Sequence, residues 1–208
     1  MASKVKYIEF SNIEEELKKF VGMKIIAGVA AEEKSKLAQY AGANEYGATI
    51  NPKKGKFLAI PLQPEYKNKS PKDFPSNYFR FVPHDPKNIC KGATLKLGDV
   101  DAFALVRQIK IPERAFIRNA FDNKKTQDKV HAFARQGLER IFNGKGTAQE
   151  CGEDIGEFLK SSIKTSIESN TKPENSSLTK RLKTSNKTLI DSGELLNSIE
   201  YEVVGCVP

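Results

Sequence analysis

The sequence has little cysteine, with only Cys90, Cys151 and Cys206 among 208 residues. The three are far apart and odd in number, and no Cys-x-x-Cys pair occurs. This spacing argues against a disulfide framework, which uses cysteines in even numbers, and against a zinc knuckle, which needs them close together. We therefore expect three buried or idle thiols.

Histidine is also scarce, and the strings that mark common enzyme sites are missing. His84 and His131 are the only histidines, and neither has a second metal ligand at a usable spacing. There is no nucleophile elbow, no Gly-x-x-x-x-Gly-Lys-Ser/Thr loop and no Gly-x-Gly-x-x-Gly loop. A Ser-His-Asp triad stays open, because its members need not be neighbours in sequence. These absences predict a protein that is not an enzyme and has no metal or cofactor.

Long apolar runs are missing as well. No run of about eighteen apolar residues occurs, and the N-terminus lacks a basic-then-apolar signal with a cleavage site. We expect a protein of a cytosol-like compartment that does not enter a membrane. With 38% hydrophobic residues, the 208 positions can bury one core of ordinary size. The sequence therefore predicts one domain over residues 1–208.

Charge is the clearest compositional feature that the sequence does have. The net charge is +8 and the isoelectric point is near 9.3, so nucleic acid or an acidic protein surface is a natural partner. The 34 basic and 26 acidic residues are largely interspersed. The basic residues do not alternate with aromatic ones along one strand or helix, as single-strand readers require. A nucleic-acid-binding module is therefore kept as an alternative.

The chain changes character at residues 109–121, which separate a sheet-like half from a helical half. Pro112 cannot donate to a strand ladder, so a strand arriving there should end at about residue 111. Phe116 begins a short apolar face beyond it, while Arg114 and Arg118 are four positions apart on another face. The spacing predicts two arginines that project together, either simply solvated or forming an exposed edge that meets a partner.

The half before this point predicts strands separated by Pro- and Gly-rich connections. We interpret residues 48–110 as an inserted β-hairpin and loop region. The stretches 63–75 and 83–98 are polar and interrupted by Pro, so we expect them to be loops that become ordered on assembly. The predicted strands are 24–30, 57–62, 78–82 and 102–111, and the predicted helices are 13–20 and 37–46.

The half after this point predicts two helices in an antiparallel hairpin. Apolar residues recur at helical spacing from Val130 to Ile141, and Asn143 and Gly144 end that stripe. A second helix follows, because Thr147 with a Glu three positions later matches a capping box.

The C-terminal part predicts a loop, a brief helix and a final strand. Residues 169–187 are Ser, Thr, Asn and Lys with almost no apolar side chains, so we expect a long exposed polar loop. A short helix should run to residue 199, and a strand at 200–204 should join the sheet.

Asp191-Ser192-Gly193 is the one string that matches an enzyme signature. Aspartic proteases place a catalytic carboxylate in such a string and need two carboxylates that share a proton, so a single copy would require a dimer. The structural alternative makes Asp191 the N-cap of a helix with Glu194 at its third position. The helical spacing of the following leucines favours this alternative.

Four strings occur in order along the chain. They are Asn44-Glu45-Tyr46-Gly47, Phe57-Leu58-Ala59-Ile60-Pro61, Ile111-Pro112-Glu113-Arg114-Ala115-Phe116-Ile117-Arg118 and Leu189-Ile190-Asp191-Ser192-Gly193-Glu194-Leu195-Leu196-Asn197-Ser198-Ile199. Taken together and in this order, they resemble the phage virion-morphogenesis proteins of the head-tail joining and tail-completion group. Relatives usually have Pro-Phe at 115–116 and Asp-Thr-Gly at 191–193, and many lack most of the 48–110 region.

The resemblance implies an α+β fold in which helices pack on an antiparallel sheet with long loop insertions. It also implies a structural virion protein that forms a ring of six copies at the neck or upper tail. Its partners would be itself, the neighbouring connector, neck or tail-tube proteins, and DNA passing through the ring lumen. The candidate interface residues are Arg114, Arg118, Glu45, Lys180, Arg181 and Lys183, and the candidate structural residues are Asn44, Gly47, Pro112, Phe116, Asp191 and Gly193.

Overall fold

The computed structural model describes residues 10–88, 91–169 and 172–205. The chain has an α+β fold with antiparallel sheets, which confirms the predicted class. The helices are α1 (Phe10–Gly22), α2 (Lys36–Tyr46), α3 (Phe116–Phe121), α4 (Lys124–Phe142), α5 (Ala148–Glu168), α6 (Ser177–Leu182) and α7 (Glu194–Asn197). The strands are β1 (Lys24–Val29), β2 (Ala48–Ile50), β3 (Leu58–Pro61), β4 (Phe79–Pro83), β5 (Ala93–Leu97), β6 (Val100–Val106), β7 (Ile109–Ile111) and β8 (Ile199–Val204).

The chain forms two compact units, each built from separated segments. The helical unit comprises the described parts of Met1–Ala38, Phe116–Ser169 and Gly193–Pro208. The β unit comprises the described parts of Gln39–Ala115 and Asn170–Ser192, and it contains the whole 48–110 region. The expectation of one domain stays a prediction.

In the helical unit, a two-stranded antiparallel ribbon packs on α5. β1 and β8 pair from Lys24 opposite Val204 to Val29 opposite Ile199, so the last strand joins a sheet as predicted. Gly152 and Gly156 of α5 allow the close approach. A Cβ atom at Gly152 would lie 2.7 Å from Cγ1 of Val203, and one at Gly156 would lie 2.2 Å from Cδ2 of Tyr201. Ile155 and Leu159 of α5 are buried against Ile25 and Ala27 of the ribbon and against the neighbouring helices.

The predicted helical hairpin is confirmed. Both halves of the capping box are formed, since Oγ1 of Thr147 accepts from the backbone N–H of Glu150 and the Glu150 carboxylate accepts in return from the Thr147 N–H. The helices α4 and α5 cross closely at Gly137, where an added Cβ atom would lie 2.2 Å from Sγ of Cys151. That contact leaves no space for a larger side chain.

In the β unit, four strands form an antiparallel sheet in the order β3-β6-β5-β4. An aromatic cluster packs on it, with ring centroids of Tyr66 and Phe103 5.5 Å apart and of Phe74 and Phe79 5.7 Å apart. A second, two-stranded sheet pairs β2 with β7. Phe103 is fully buried, so it forms the centre of this core.

Several predicted boundaries were wrong, and the reasons are physical. Residues 63–75 contain short 3₁₀ turns that carry the buried Tyr66, and residues 83–98 contain β5, so neither stretch is simply a loop. The predicted strand 102–111 is two strands, because β6 pairs with β3 whereas β7 pairs with β2. Short strands among Pro and Gly are recognisable only once their distant partners are known. The first helix begins at Phe10, earlier than the expected capping residues.

Candidate functional site

Arg114 occupies a buried position at the centre of a polar network in the β unit. It has only 7% of its surface exposed. Its backbone N–H donates to the carbonyl oxygen of Asn44 at 2.6 Å, and its Nη1 donates to Oδ1 of Asn44 at 3.2 Å. Arg114 thus holds the C-terminal end of α2 through both its main chain and its side chain.

The other donors of Arg114 hold a second segment. Nε donates to the carbonyl oxygen of Pro173 at 2.8 Å, and Nη2 donates to the carbonyl oxygen of Glu174 at 3.4 Å and to Oδ1 of Asn175 at 3.3 Å. Each of these acceptors is a neutral oxygen, and burial lowers the pKa of Arg114. The five-donor guanidinium is suited to such a multi-point contact.

The expectation that Arg114 projects into solvent beside Arg118 is therefore wrong. α3 begins only at Phe116, so Arg114 precedes the helix and does not share a helical face with Arg118. Arg118 is exposed, as predicted, on α3 itself.

The Asn44–Gly47 string and the Ile111–Arg118 string are joined at this network. Gly47 has φ 71°, and a Cβ atom there would lie 3.1 Å from the backbone nitrogen of Glu113, so the string needs glycine at this turn. β2 follows directly and pairs Ala48 with Ile111. The side-chain amide of Asn44 also donates to the Tyr40 carbonyl oxygen at 2.9 Å, which orients its Oδ1 toward Arg114.

Glu45 was expected at an interface, but it is 4% exposed, so that expectation of an accessible side chain is wrong. It lies on the buried side of α2 beside Asn44. Pro112 is exposed and follows the last residue of β7, as predicted for a strand end. Phe116 is fully buried, which confirms its structural assignment.

Asp191 lies at the centre of another group of polar contacts in the β unit. Its Oδ2 accepts from Nζ of Lys67 at 2.7 Å, and its Oδ1 accepts from both the N–H and the hydroxyl of Thr184 at 3.1 Å. The Lys67 contact, with help from Thr184, lowers the pKa of Asp191 below its usual range.

Asp191 is not the N-cap of α7, so that prediction is wrong. Gly193 occupies the N-cap position with φ 84°, where a left-handed conformation favours glycine. The protease interpretation also finds no support in this geometry. Asp191 is an ionised carboxylate bound by a cation, whereas a protease dyad needs two carboxylates that share one proton.

Residues 172–191 form polar contacts with the rest of the β unit. They also contain α6, so the description of 169–187 as a simple loop is wrong. Arg181 donates to the carbonyl oxygen of Leu62, and Lys180 pairs with Glu174 at 2.6 Å. Lys183 donates to the carbonyl oxygens of Lys187 and Thr188 at 2.8 and 2.9 Å. Of the three predicted interface residues here, Lys180 and Arg181 are exposed, whereas Lys183 is half-buried.

Charged groups of both signs surround Lys183. Burial lowers the pKa of Lys183, the charge of Asp191 raises it, and the charges of Arg114 and Lys67 lower it further. The arrangement holds chain segments of the β unit together.

Among residues 10–88, 91–169 and 172–205, no group of three or more His, Cys, Asp or Glu side chains could hold a metal ion. The His84 ring contacts the Thr94 hydroxyl at 3.0 Å, and His131 is exposed on α4. Burial raises the pKa of the Cys151 thiol, as expected for an idle cysteine. Cys90 and Cys206 lie outside the described residues.

Sequence reasoning missed several members of the network. Lys67, Asn175 and Thr184 carry no local signal, because each contacts a residue that is distant in sequence or lies in a featureless polar stretch.

No helix of the described chain is both long and apolar enough to cross a membrane. Comparison with protein-family models, curated proteins and solved structures gives no match to this chain.

Proposed function

We propose that this chain is a structural virion protein at the neck or upper tail of a bacteriophage, where copies form a ring that joins or completes head and tail. The observation that carries the proposal is the occurrence of four characteristic strings in one order along the chain. The ring, made of this protein and most simply six-fold, would contact connector, neck or tail-tube neighbours and surround the DNA.

The contacts of the strings support this proposal. Asn44 and Gly47 of the first string contact Arg114 and Glu113 of the third, although about seventy positions separate them. Asp191 of the fourth string contacts Lys67 in the same unit. These contacts hold distant segments of the β unit together, which suits a structural role.

The subunit contacts in this proposal use the exposed members of the candidate interface. Arg118 lies on the surface of α3, and Lys180 and Arg181 lie on α6. Arginine is well suited to interfaces because its planar guanidinium can form two parallel hydrogen bonds. Arg114 would act indirectly, by holding the α2 end and residues 173–175 in place.

Immunogold labelling tests the virion location, and electron microscopy of the purified protein tests the ring. An antibody against this chain should label phage particles at the head-tail junction, and concentrated protein should form closed rings. Arg118→Ala should reduce ring formation, whereas Lys125→Ala on the exposed face of α4 serves as the control. Label that never associates with particles, or a single copy per neck, would refute the proposal.

A nucleic-acid-binding module is the second candidate, favoured by one observation in the β unit. The two carboxylates of residues 172–191, Glu174 and Asp191, are both engaged by lysines, while five basic residues lie in the same stretch. Binding to DNA phosphates would weaken steeply with salt. Titration of a fluorescently labelled DNA duplex with the protein, followed by anisotropy at two salt concentrations, measures the affinity and its dependence on salt. Salt-independent or undetectable binding would exclude it.

A further inference from the structure

The four-stranded sheet of the β unit has one end at which three connections meet. The register places Leu58 at the start of β3 opposite Val106 at the end of β6. It also places Ala93 at the start of β5 opposite Leu105 of β6 and Pro83 at the end of β4. The connections that leave the sheet here are residues 51–57, residues 107–108, and residues 84–88 and 91–92 between β4 and β5.

These connections are strongly basic, and we call this part of the sheet the basic end. They carry one carboxylate, Asp85, which pairs with Lys91 at 2.8 Å. The lysines of residues 51–57 are all exposed, and so is Lys87. The basic residues are Lys53, Lys54, Lys56, Lys87, Lys91 and Arg107. Cations therefore outnumber carboxylates six to one in these connections.

The opposite end of the same sheet is balanced in charge. Its connections, residues 62–78 and 98–99, carry three lysines and three carboxylates, which are Lys67, Lys69, Lys72, Glu65, Asp73 and Asp99. Asp191 also lies at this opposite end, because it pairs with Lys67 at 2.7 Å. Asp101, near the start of β6, pairs with a lysine of β5 at 3.0 Å. The excess of positive charge is thus confined to one end of the sheet.

The remaining carboxylates of the β unit lie away from the basic end. Glu45 and Glu113 flank the end of the β2–β7 pair that is farther from residues 51–57. The carbonyl oxygen of Glu174 accepts from Arg114, the residue after Glu113, and its carboxylate pairs with a lysine of α6. Within the β unit, these carboxylates therefore leave the charge of the 51–57 lysines uncompensated.

A polar cavity of about 400 Å³ opens at the basic end, between residues 51–57 and the β6–β7 connection. Four of its five lining residues have side chains that can donate hydrogen bonds. The lining residues are Asn51, Pro52, Lys56, Arg107 and Gln108. Protein–protein interfaces usually have an apolar centre, whereas interfaces with DNA are more polar and more positively charged. The composition of this cavity therefore favours DNA over an acidic protein.

We propose that the basic end binds the phosphate backbone of duplex DNA, with the lysines of residues 51–57 on the phosphates and one phosphate in the cavity. Neighbouring strands lie about 4.8 Å apart, so the four strand ends extend over about 14 Å. Duplex DNA carries one phosphate per about 1.7 Å of its axis, which gives roughly eight phosphates along that distance. The inference rests on the DNA-binding candidate function and assigns it a site outside residues 172–191.

Titration of a labelled duplex of about 20 base pairs with the full chain, at about 50 and about 200 mM salt, tests the site. The double substitution Lys53→Glu, Lys54→Glu should weaken binding at least about tenfold at the lower salt. Lys56→Gln should weaken it less and reduce the slope of affinity against salt by about one. The matched control is Lys124→Glu, Lys125→Glu, which reverses two adjacent exposed lysines at the start of α4. It should leave the affinity within about threefold of the original.

Two further arms separate the alternatives. Polyglutamate of equal total charge should compete at least about tenfold more weakly than DNA, because an extended chain carries one charge per about 3.4 Å. Lys187→Glu probes residues 172–191 and should have a smaller effect than Lys53→Glu, Lys54→Glu. Thermal melting of every variant distinguishes lost binding from lost folding.

The outcomes distinguish the site from the function. If the original protein does not bind the duplex, both the DNA-binding candidate and this site are refuted. If it binds and Lys53→Glu, Lys54→Glu binds no more weakly than the α4 control, or if Lys187→Glu has the larger effect, the site alone is overturned. Polyglutamate that competes as well as DNA would indicate an acidic protein as the partner and would also overturn the proposal.

Discussion

Arg114 donates both its backbone N–H and its guanidinium Nη1 to Asn44, a residue 70 positions earlier in the chain. The same guanidinium reaches the carbonyl oxygens of Pro173 and Glu174. One side chain therefore joins three segments that are distant in sequence. The consequence is that Arg114 contributes to folding, and an effect of this residue on the proposed assembly would be indirect.

Arg114→Ala should destabilise the β unit by about 2 to 4 kcal/mol, because it leaves Oδ1 of the buried Asn44 and the oxygens of residues 173–175 without a donor. Arg114→Lys should recover only part of this loss, since an ammonium group cannot reach all these acceptors with the geometry of a guanidinium. Urea unfolding followed by circular dichroism measures both. Arg118→Ala is the control, with an expected change of about 0.5 kcal/mol or less. Equal losses for Arg114→Ala and Arg118→Ala would contradict this assignment.

Gly156→Ala should destabilise the helical unit, because the added methyl group would lie 2.2 Å from Cδ2 of Tyr201. We expect a loss of about 1 to 3 kcal/mol, which is typical of overpacking. Gly42→Ala in α2 is the matched control, since a Cβ atom there meets nothing within 4 Å. That substitution should be neutral or stabilising by up to about 1 kcal/mol. Thermal melting compares the two, and a stabilising Gly156→Ala would show that α5 and β8 are less closely packed.

Phe116→Ala should cost about 3 to 5 kcal/mol of folding free energy, because Phe116 is fully buried and its removal leaves a cavity. Arg118→Ala, two positions later on the exposed side of α3, should leave the melting temperature nearly unchanged and reduce ring assembly instead. Calorimetry and an assembly assay on both variants measure the two effects. Arg118→Ala protein that unfolds readily yet assembles after refolding would show that the two faces of α3 are assigned the wrong way round.

Stability should fall in acid partly through Asp191. Its pKa is lowered in the folded protein, chiefly by Lys67, so the carboxylate stabilises the fold above its ordinary pKa of about 4. This contribution is lost as the pH falls through the ordinary value toward the lowered one. Asp191→Asn should therefore flatten the decline in stability below about pH 5. Urea unfolding at a series of pH values tests it, with Asp128→Asn on α4 as the control. Identical pH profiles for the original protein and Asp191→Asn would refute the assignment.

Local features of the fold were predictable from the sequence, because they depend on neighbouring residues. Thr147 and Glu150 identified the start of α5, and the apolar spacing from Val130 identified α4. Pro112 correctly marked the end of a strand. β5 was missed, because its sequence lies among Pro and Gly and its pairing partners, β4 and β6, could not be inferred without the sheet.

The candidate site was only partly predictable. The strings that contain Asn44, Arg114 and Asp191 were recognised, but the roles of Arg114 and Asp191 were not. Helical spacing placed Arg114 on the surface of a helix that in fact begins two residues later. Capping rules placed Asp191 at a helix start, although Lys67 and Thr184 bind its carboxylate.

The sequence by itself determined the composition of this protein, its α+β character, and the capped helices and strand ends that short-range interactions specify. Only the tertiary structure decided which polar residues are buried and which distant segments they join. The physical reason is separation along the chain. Lys67 and Asp191 are 124 positions apart, and Arg114 and Pro173 are 59 apart, so their contacts depend on how whole segments fold together.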